Sequence, residues 1–166
     1  MTPEPWLRGP ISGVHPLVAP VFYTFQQARE DLRRYTHDLT RAQLWAAPHG
    51  FGSVGFHIRH IAGSTGRLLS YLQHLELTPR QMEDLRSEER PLDIDAADLL
   101  AALDAALDEA EGVVRRVDPA SLAEPVTVGR KKLPTTVIGI LTHIAEHTQR
   151  HVGQAISASK WSRIIA

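Results

Sequence analysis

The stretch His143-Ile-Ala-Glu-His147-Thr-Gln-Arg-His151-Val-Gly-Gln154 decides how this chain is read. Its three histidines are four residues apart, so on a helix they climb one side. Around them Val137, Leu141, Ile144, Thr148, Val152 and Ala155 step by four and three. That rhythm predicts a helix from Thr135 or Thr136 past Ile156 with one buried face. At 3.6 residues per turn, His151 falls inside the apolar arc, His147 at its margin and His143 roughly 40° further out. Two imidazoles spaced by four at a core edge supply two coordination positions for a metal ion from one helix. The run His147-Thr-Gln-Arg-His151 lacks the glutamate of the HExxH peptidase motif, and Glu146, displaced by two positions, cannot replace it. Glu146 also points away from the histidines and reads as a solvated helix residue.

Working outward, the counterpart is His57-Ile-Arg-His60, inside a second amphipathic stretch. Ser53 is a good N-cap, and Val54, Ile58, Ile61, Thr65, Leu68, Leu72 and Leu75 form the stripe of a helix running to about Leu75. Gly55, Gly63 and Gly66 lie within it, each costing about 1 kcal/mol against alanine, which points to close helix packing or to space kept for something. A third imidazole from this helix completes three nitrogen donors and leaves positions open for water or substrate, as in catalytic rather than structural sites. The apolar arc alone places His57 nearer the buried centre than His60. A lone histidine on an apolar face is usually a hydrogen-bonded core residue. Five of the nine histidines in two amphipathic segments, all near buried margins, favour a metal. His15, His37, His49 and His74 fall at helix ends or in loops and read as surface residues.

The remaining chain supplies two more helices. Val18, Val21, Phe22, Phe25, Ala28, Leu32, Tyr35 and Leu39 predict a helix over about 16–38, with Pro16 and Pro20 at its start, where a missing donor costs least. Ala96, Leu100, Leu103, Leu107, Ala110, Val114 and Val117 predict another, capped by Asp95 and ended by Asp118-Pro119. Residues 1–13 read as an irregular lead-in, 41–46 as a short extra turn, and 119–134 as a loop with a short extended piece. Residues 77–92, with mixed charges, Pro79 and Pro91, read as a long exposed connection with one helical stretch around Gln81–Ser87. Four long amphipathic helices without an alternating βα pattern predict an all-α, antiparallel-type four-helix bundle, a single domain over 1–166, with the metal site between the second and fourth long helices.

Composition narrows the function. The 166 residues are 43% hydrophobic and 22% charged with a net charge of −1, an ordinary globular balance. The one dense basic run, Arg130-Lys131-Lys132, reads as a solvated turn, so no nucleic-acid partner is expected. No apolar run reaches the length of a membrane span, and the first ten residues lack the basic and apolar regions of a signal peptide; a cytoplasmic location is expected. Cysteine is absent, which removes disulfides, thiolate ligands and a cysteine nucleophile together.

Two motifs make the chain resemble the DinB-like (damage-inducible) four-helix bundles with a histidine metal site. Ser53-Val-Gly-Phe-His-Ile-Arg-His60-Ile-Ala-Gly-Ser64 is similar to that family's second-helix pattern, and His143 to Gln154 looks like its HxxxHxGQ fourth-helix signature. Helix order and loop placement extend the resemblance over about residues 14–160. It implies a divalent ion, zinc or nickel, held by His60, His147 and His151. His57 then becomes a pocket or supporting residue and the reserve ligand, and His143 a further supporting candidate. One departure is Arg150, where the family often carries a second histidine just before the last ligand.

The resemblance further implies a small-molecule substrate, a low-molecular-weight thiol as cosubstrate, and a homodimer. The expected activity is therefore a metal-dependent, thiol S-transferase-like reaction on a small electrophile. A metal-dependent hydrolase is the enzymatic alternative, and a non-catalytic metal- or ligand-binding or dimerisation module the third reading. No general acid or base is assigned from sequence.

Overall fold

The computed structural model describes residues 2–165, the side chain of Ile165 excepted. It is mostly helical: α1 (Ala19–Thr36), α2 (Arg41–Trp45), α3 (Val54–Leu72), α4 (Pro79–Ser87), α5 (Ala96–Val114) and α6 (Val137–Ile165), with two short strands, β1 (Pro125–Val128) and β2 (Leu133–Thr136). Short 3-10 turns occupy Pro5–Leu7, Pro48–Gly50 and Pro119–Ser121, the first of them within the expected lead-in.

Local chemistry sets most helix starts. Ser53 Oγ accepts from the Phe56 backbone N–H at 3.0 Å, so α3 begins where an N-cap was expected. Asp95 caps α5 through the Asp98 N–H, and Thr136 Oγ1 accepts from Gly139 N–H at the start of α6. Reciprocal capping boxes, Thr40 with Gln43 and Thr78 with Gln81, open α2 and α4. Each cap satisfies donors that the first turn leaves unpaired, typically contributing about 1 kcal/mol.

The long helices pack in a closed order: α3 lies against α6 and α5, and α1 against the same two. Between them sits one contiguous apolar cluster, in which Phe22, Phe25, Leu32, Ile58, Ile61, Leu103, Leu107, Leu141 and Ile144 are 0–1% exposed. Two stripe positions of the second long helix are corrected: Leu69 rather than Leu68 is fully buried, and Leu75 lies beyond α3 and is 56% exposed. The helix ends after Leu72, so the face that would have buried Leu75 no longer exists.

The 119–134 segment is more ordered than an expected loop. β1 and β2 pair antiparallel in the register Val126↔Thr135 and Val128↔Leu133, turning through Gly129 (φ 73°) and exposed Arg130, Lys131 and Lys132. Val126 is 2% exposed and β1 packs against α3.

Residues 77–92 are the larger correction. Their helix, α4, covers the predicted stretch, yet the connection is not simply exposed: Glu88, just beyond α4, is 3% exposed. Three side chains dock the segment on α3. Gln81 Nε2 donates to Ser70 Oγ (2.9 Å). Arg59 Nη1 donates to the carbonyls of Ser87 (2.7 Å), Glu88 (3.1 Å) and Arg90 (3.0 Å). Arg67 Nη1 donates to Glu88 Oε1 (2.7 Å).

Among the described residues, no helix is long and apolar enough to cross a membrane.

Candidate metal centre

The contact between α3 and α6 brings His60 of one helix against His147 and His151 of the other. One ring nitrogen from each lies within 4.8 Å of the others. The ring centroids are 4.5 Å apart for His60–His151 and His147–His151, and 5.0 Å for His60–His147. All three rings are half-buried, as expected where ligands border a core yet open to solvent.

Each of the three has its Nδ1 engaged by a different group. His60 Nδ1 lies 2.6 Å from Glu88 Oε2; an ionised carboxylate only accepts, so this nitrogen donates. His147 Nδ1 lies 3.3 Å from Ser64 Oγ, whose hydroxyl donates to the Ile61 carbonyl at 3.3 Å and so offers the imidazole a lone pair. His151 Nδ1 lies 3.0 Å from His57 Nδ1. His57 Nε2 in turn sits against Gly52. Of the three, His60 is held by Glu88 as the Nδ1–H tautomer, with its lone pair on Nε2.

That donor set fits a divalent ion. Tetrahedral nitrogens at about 2.0–2.1 Å from an ion stand roughly 3.3 Å apart, so modest side-chain movement from the observed spread reaches that spacing. A histidine ligand characteristically gives its second N–H to a carboxylate or other acceptor, which fixes the ring.

A family model of the DinB superfamily matches residues 24–155, spanning both histidine segments. The chain belongs to the DinB superfamily. No curated protein matches it.

In this DinB-superfamily chain the other candidates border the three-residue cluster without joining it. His57, 6% exposed, is the more buried of the α3 pair, as the apolar arc indicates, but it stands behind His151. His143 is about half exposed; its Nδ1 meets Glu146 Oε1 at 2.6 Å, and its ring centroid is 5.2 Å from that of His147. Glu146 also takes a hydrogen bond from Arg150 and faces solvent. Phe56 stacks on His60 with centroids 5.3 Å apart and planes at 26°, and meets His151 edge-on. His15, His37, His49 and His74 are exposed.

Burial favours the neutral form of three of these rings, His57, His147 and His151. Burial, then the neighbouring His60, lower His57 from an ordinary 6.5 to about 4. The same two causes lower His147 to about 4 and His151 to about 3, with smaller contributions from other nearby imidazoles and Arg150. Neutral imidazoles are the form that binds a metal. Burial pushes the Glu88 carboxyl upward, but hydrogen bonds from His60 and Arg67 outweigh it, so Glu88 lies below the usual carboxylate range.

Sequence reasoning missed Glu88 and Ser64. Glu88 sits among Ser87, Glu89 and Arg90, where one acid looks like any other. The faint signal lay on α3: Gly63 and Arg67 follow His60 by three and seven, on the same helical face. A cation on a buried face requires an anion, and a glycine beside it leaves room for one. A Cβ at Gly63 would stand 2.4 Å from Glu88 Oε1 and 2.8 Å from Arg67 Nη1.

Proposed function

We propose that this protein is an antiparallel four-helix-bundle metalloenzyme in which His60, His147 and His151 hold one divalent ion. The reaction we assign to it is thiol S-transferase-like, acting on a small electrophile. The observation that carries the reading is the convergence of three imidazoles, each with Nδ1 engaged by a different group. Three protein donors leave at least one position on the ion open, the arrangement of catalytic centres. A bound ion supplies Lewis acidity that lowers the pKa of a small ligand such as a thiol. The chain's residues hold the three rings in place, and Phe56 walls one side of them.

Two features favour transfer to a cosubstrate thiol over metal-assisted hydrolysis. The chain has no cysteine, so a sulfur nucleophile must come from outside. Hydrolysis at such a centre commonly uses a carboxylate as general base. Among the described residues the cluster of possible ligands contains no carboxylate: Glu88 is occupied by His60 and Arg67, and Glu146 by His143 and Arg150. Zinc or nickel suits three imidazoles. The same reading takes residues 1–166 as one domain, consistent with a single contiguous core, and the working unit as a cytoplasmic homodimer, by family resemblance.

Cobalt-substituted protein tests the reaction class. Added low-molecular-weight thiols are expected to change the visible d–d bands and to be consumed with model electrophiles in a metal-dependent turnover. Metal-loaded protein that shows neither response to a panel of thiols is a binding module or a hydrolase, and the transferase reading fails.

A further inference from the structure

Glu88 lies outside both histidine motifs, yet it is the most buried acidic side chain described, 3% exposed. Both carboxylate oxygens are committed: Oε2 to His60 Nδ1 at 2.6 Å, and Oε1 to Arg67 Nη1 at 2.7 Å. A buried charge costs several kcal/mol unless paired and hydrogen-bonded, and here Arg67, itself 7% exposed, supplies the pairing. The chain delivers this one carboxylate with many contacts: α4 ends immediately before it, Arg59 grips the carbonyls on either side of it, and Gly63 leaves the space its oxygen fills.

We propose that Glu88 is a positioning residue of the metal centre: it fixes His60 as the Nδ1–H tautomer, presents Nε2 to the ion, and, among the described residues, is the one carboxylate hydrogen-bonded to any of the three histidines. This rests on the three-histidine reading above. Of the three groups that meet the histidines' Nδ1 atoms, Ser64 is a hydroxyl and His57 an imidazole; only Glu88 is a carboxylate, adding negative charge through His60 against the ion's positive charge. Arg67 and Arg59 hold the carboxylate, and α4 acts as a fixed strut rather than as a lid over the site.

Two readouts separate this proposal from the metal reading itself. In metal-free protein at a pH well above the imidazole range, long-range 1H–15N correlation of the His60 ring is expected to show Nδ1 protonated. Glu88→Ala should shift His60 toward the Nε2–H or a mixed tautomer, and Glu88→Gln, which keeps an acceptor oxygen, should retain more of the original pattern. Zinc affinity, by chelator competition, should fall roughly 10–100-fold in Glu88→Ala with one ion per chain retained at saturation, and less in Glu88→Gln. Nε2–H at His60 in the wild type, which requires no variant to fold, overturns the proposal. So does a folded Glu88→Ala with unchanged tautomer and affinity. Wild-type protein that binds no zinc yet shows the Nδ1–H tautomer fails the metal reading and removes the positioning role with it; the Glu88–His60 bond then stands as structural alone.

Discussion

At the scale of single residues, the centre is a set of rings each met at Nδ1 by a different group. Those groups are a carboxylate, a hydroxyl and an imidazole, from Glu88, Ser64 and His57. The five histidines of the two segments were legible as candidates because helical periodicity needs only local sequence, whereas the choice of His60 over His57 came from the family resemblance. Their supports were not legible, because Ser64 and Glu88 acquire meaning only when α6 and α4 dock on α3. His57 shows the limit of depth as a guide: the arc correctly placed it deeper than His60, but depth put it behind a neighbouring ring rather than in the cluster. The depressed histidines predict how the metal-free protein responds to acid. His57 and His147 are held near 4 and His151 near 3, against 6.5 for a free imidazole. Folding lowers these values, so the unfolded chain takes up protons first as pH falls. Stability contributed by the neutral rings is fully present above about pH 6.5 and is lost progressively down to about pH 3. Urea midpoints of metal-free wild type should therefore fall across that window, and His57→Gln should flatten the slope. A wild-type midpoint constant across the window would show that the rings are not held neutral.

At the scale of elements, caps and breakers made α3, α5 and α6 legible to within a few residues. Ser53, Asp95 and Thr136 cap by side-chain hydrogen bonds that span only three residues. α4 was visible as a helix but not as a docked one, because its outward face carries mixed charge and its attachments are made by α3. Two glycines of α3 separate these effects. Gly63 faces the Glu88–Arg67 pair, whereas an added Cβ at Gly66 meets no atom within 4 Å. Gly66→Ala should stabilise the protein by about 0.5–1 kcal/mol, from helix propensity and reduced unfolded-chain freedom. Gly63→Ala should destabilise it by about 1–3 kcal/mol, because it pushes a buried, hydrogen-bonded ion pair apart. Chemical denaturation of the two variants checks both signs; stabilisation by Gly63→Ala would mean that the space beside Glu88 is not required.

At the scale of the whole molecule, the two ligand segments lie far apart in sequence and meet only because α3 and α6 share a long contact in the core. An ion held by His60, His147 and His151 therefore joins two helices of one hydrophobic core, and nothing in either motif alone supplies it. The all-α class and the four long helices were legible from apolar periodicity. The β1–β2 hairpin was less so: its strands are four residues each, too short for an alternation to stand out, and β2 contains Pro134. The most direct test is metal content of protein purified without a histidine tag, measured by plasma mass spectrometry, for wild type and for His60→Ala, His147→Ala, His151→Ala and His57→Ala. One divalent ion per chain is predicted in the wild type, lost in each of the first three variants and retained, more weakly, in the fourth. A wild type without metal, or an ion kept in His60→Ala and lost in His57→Ala, would contradict the assignment.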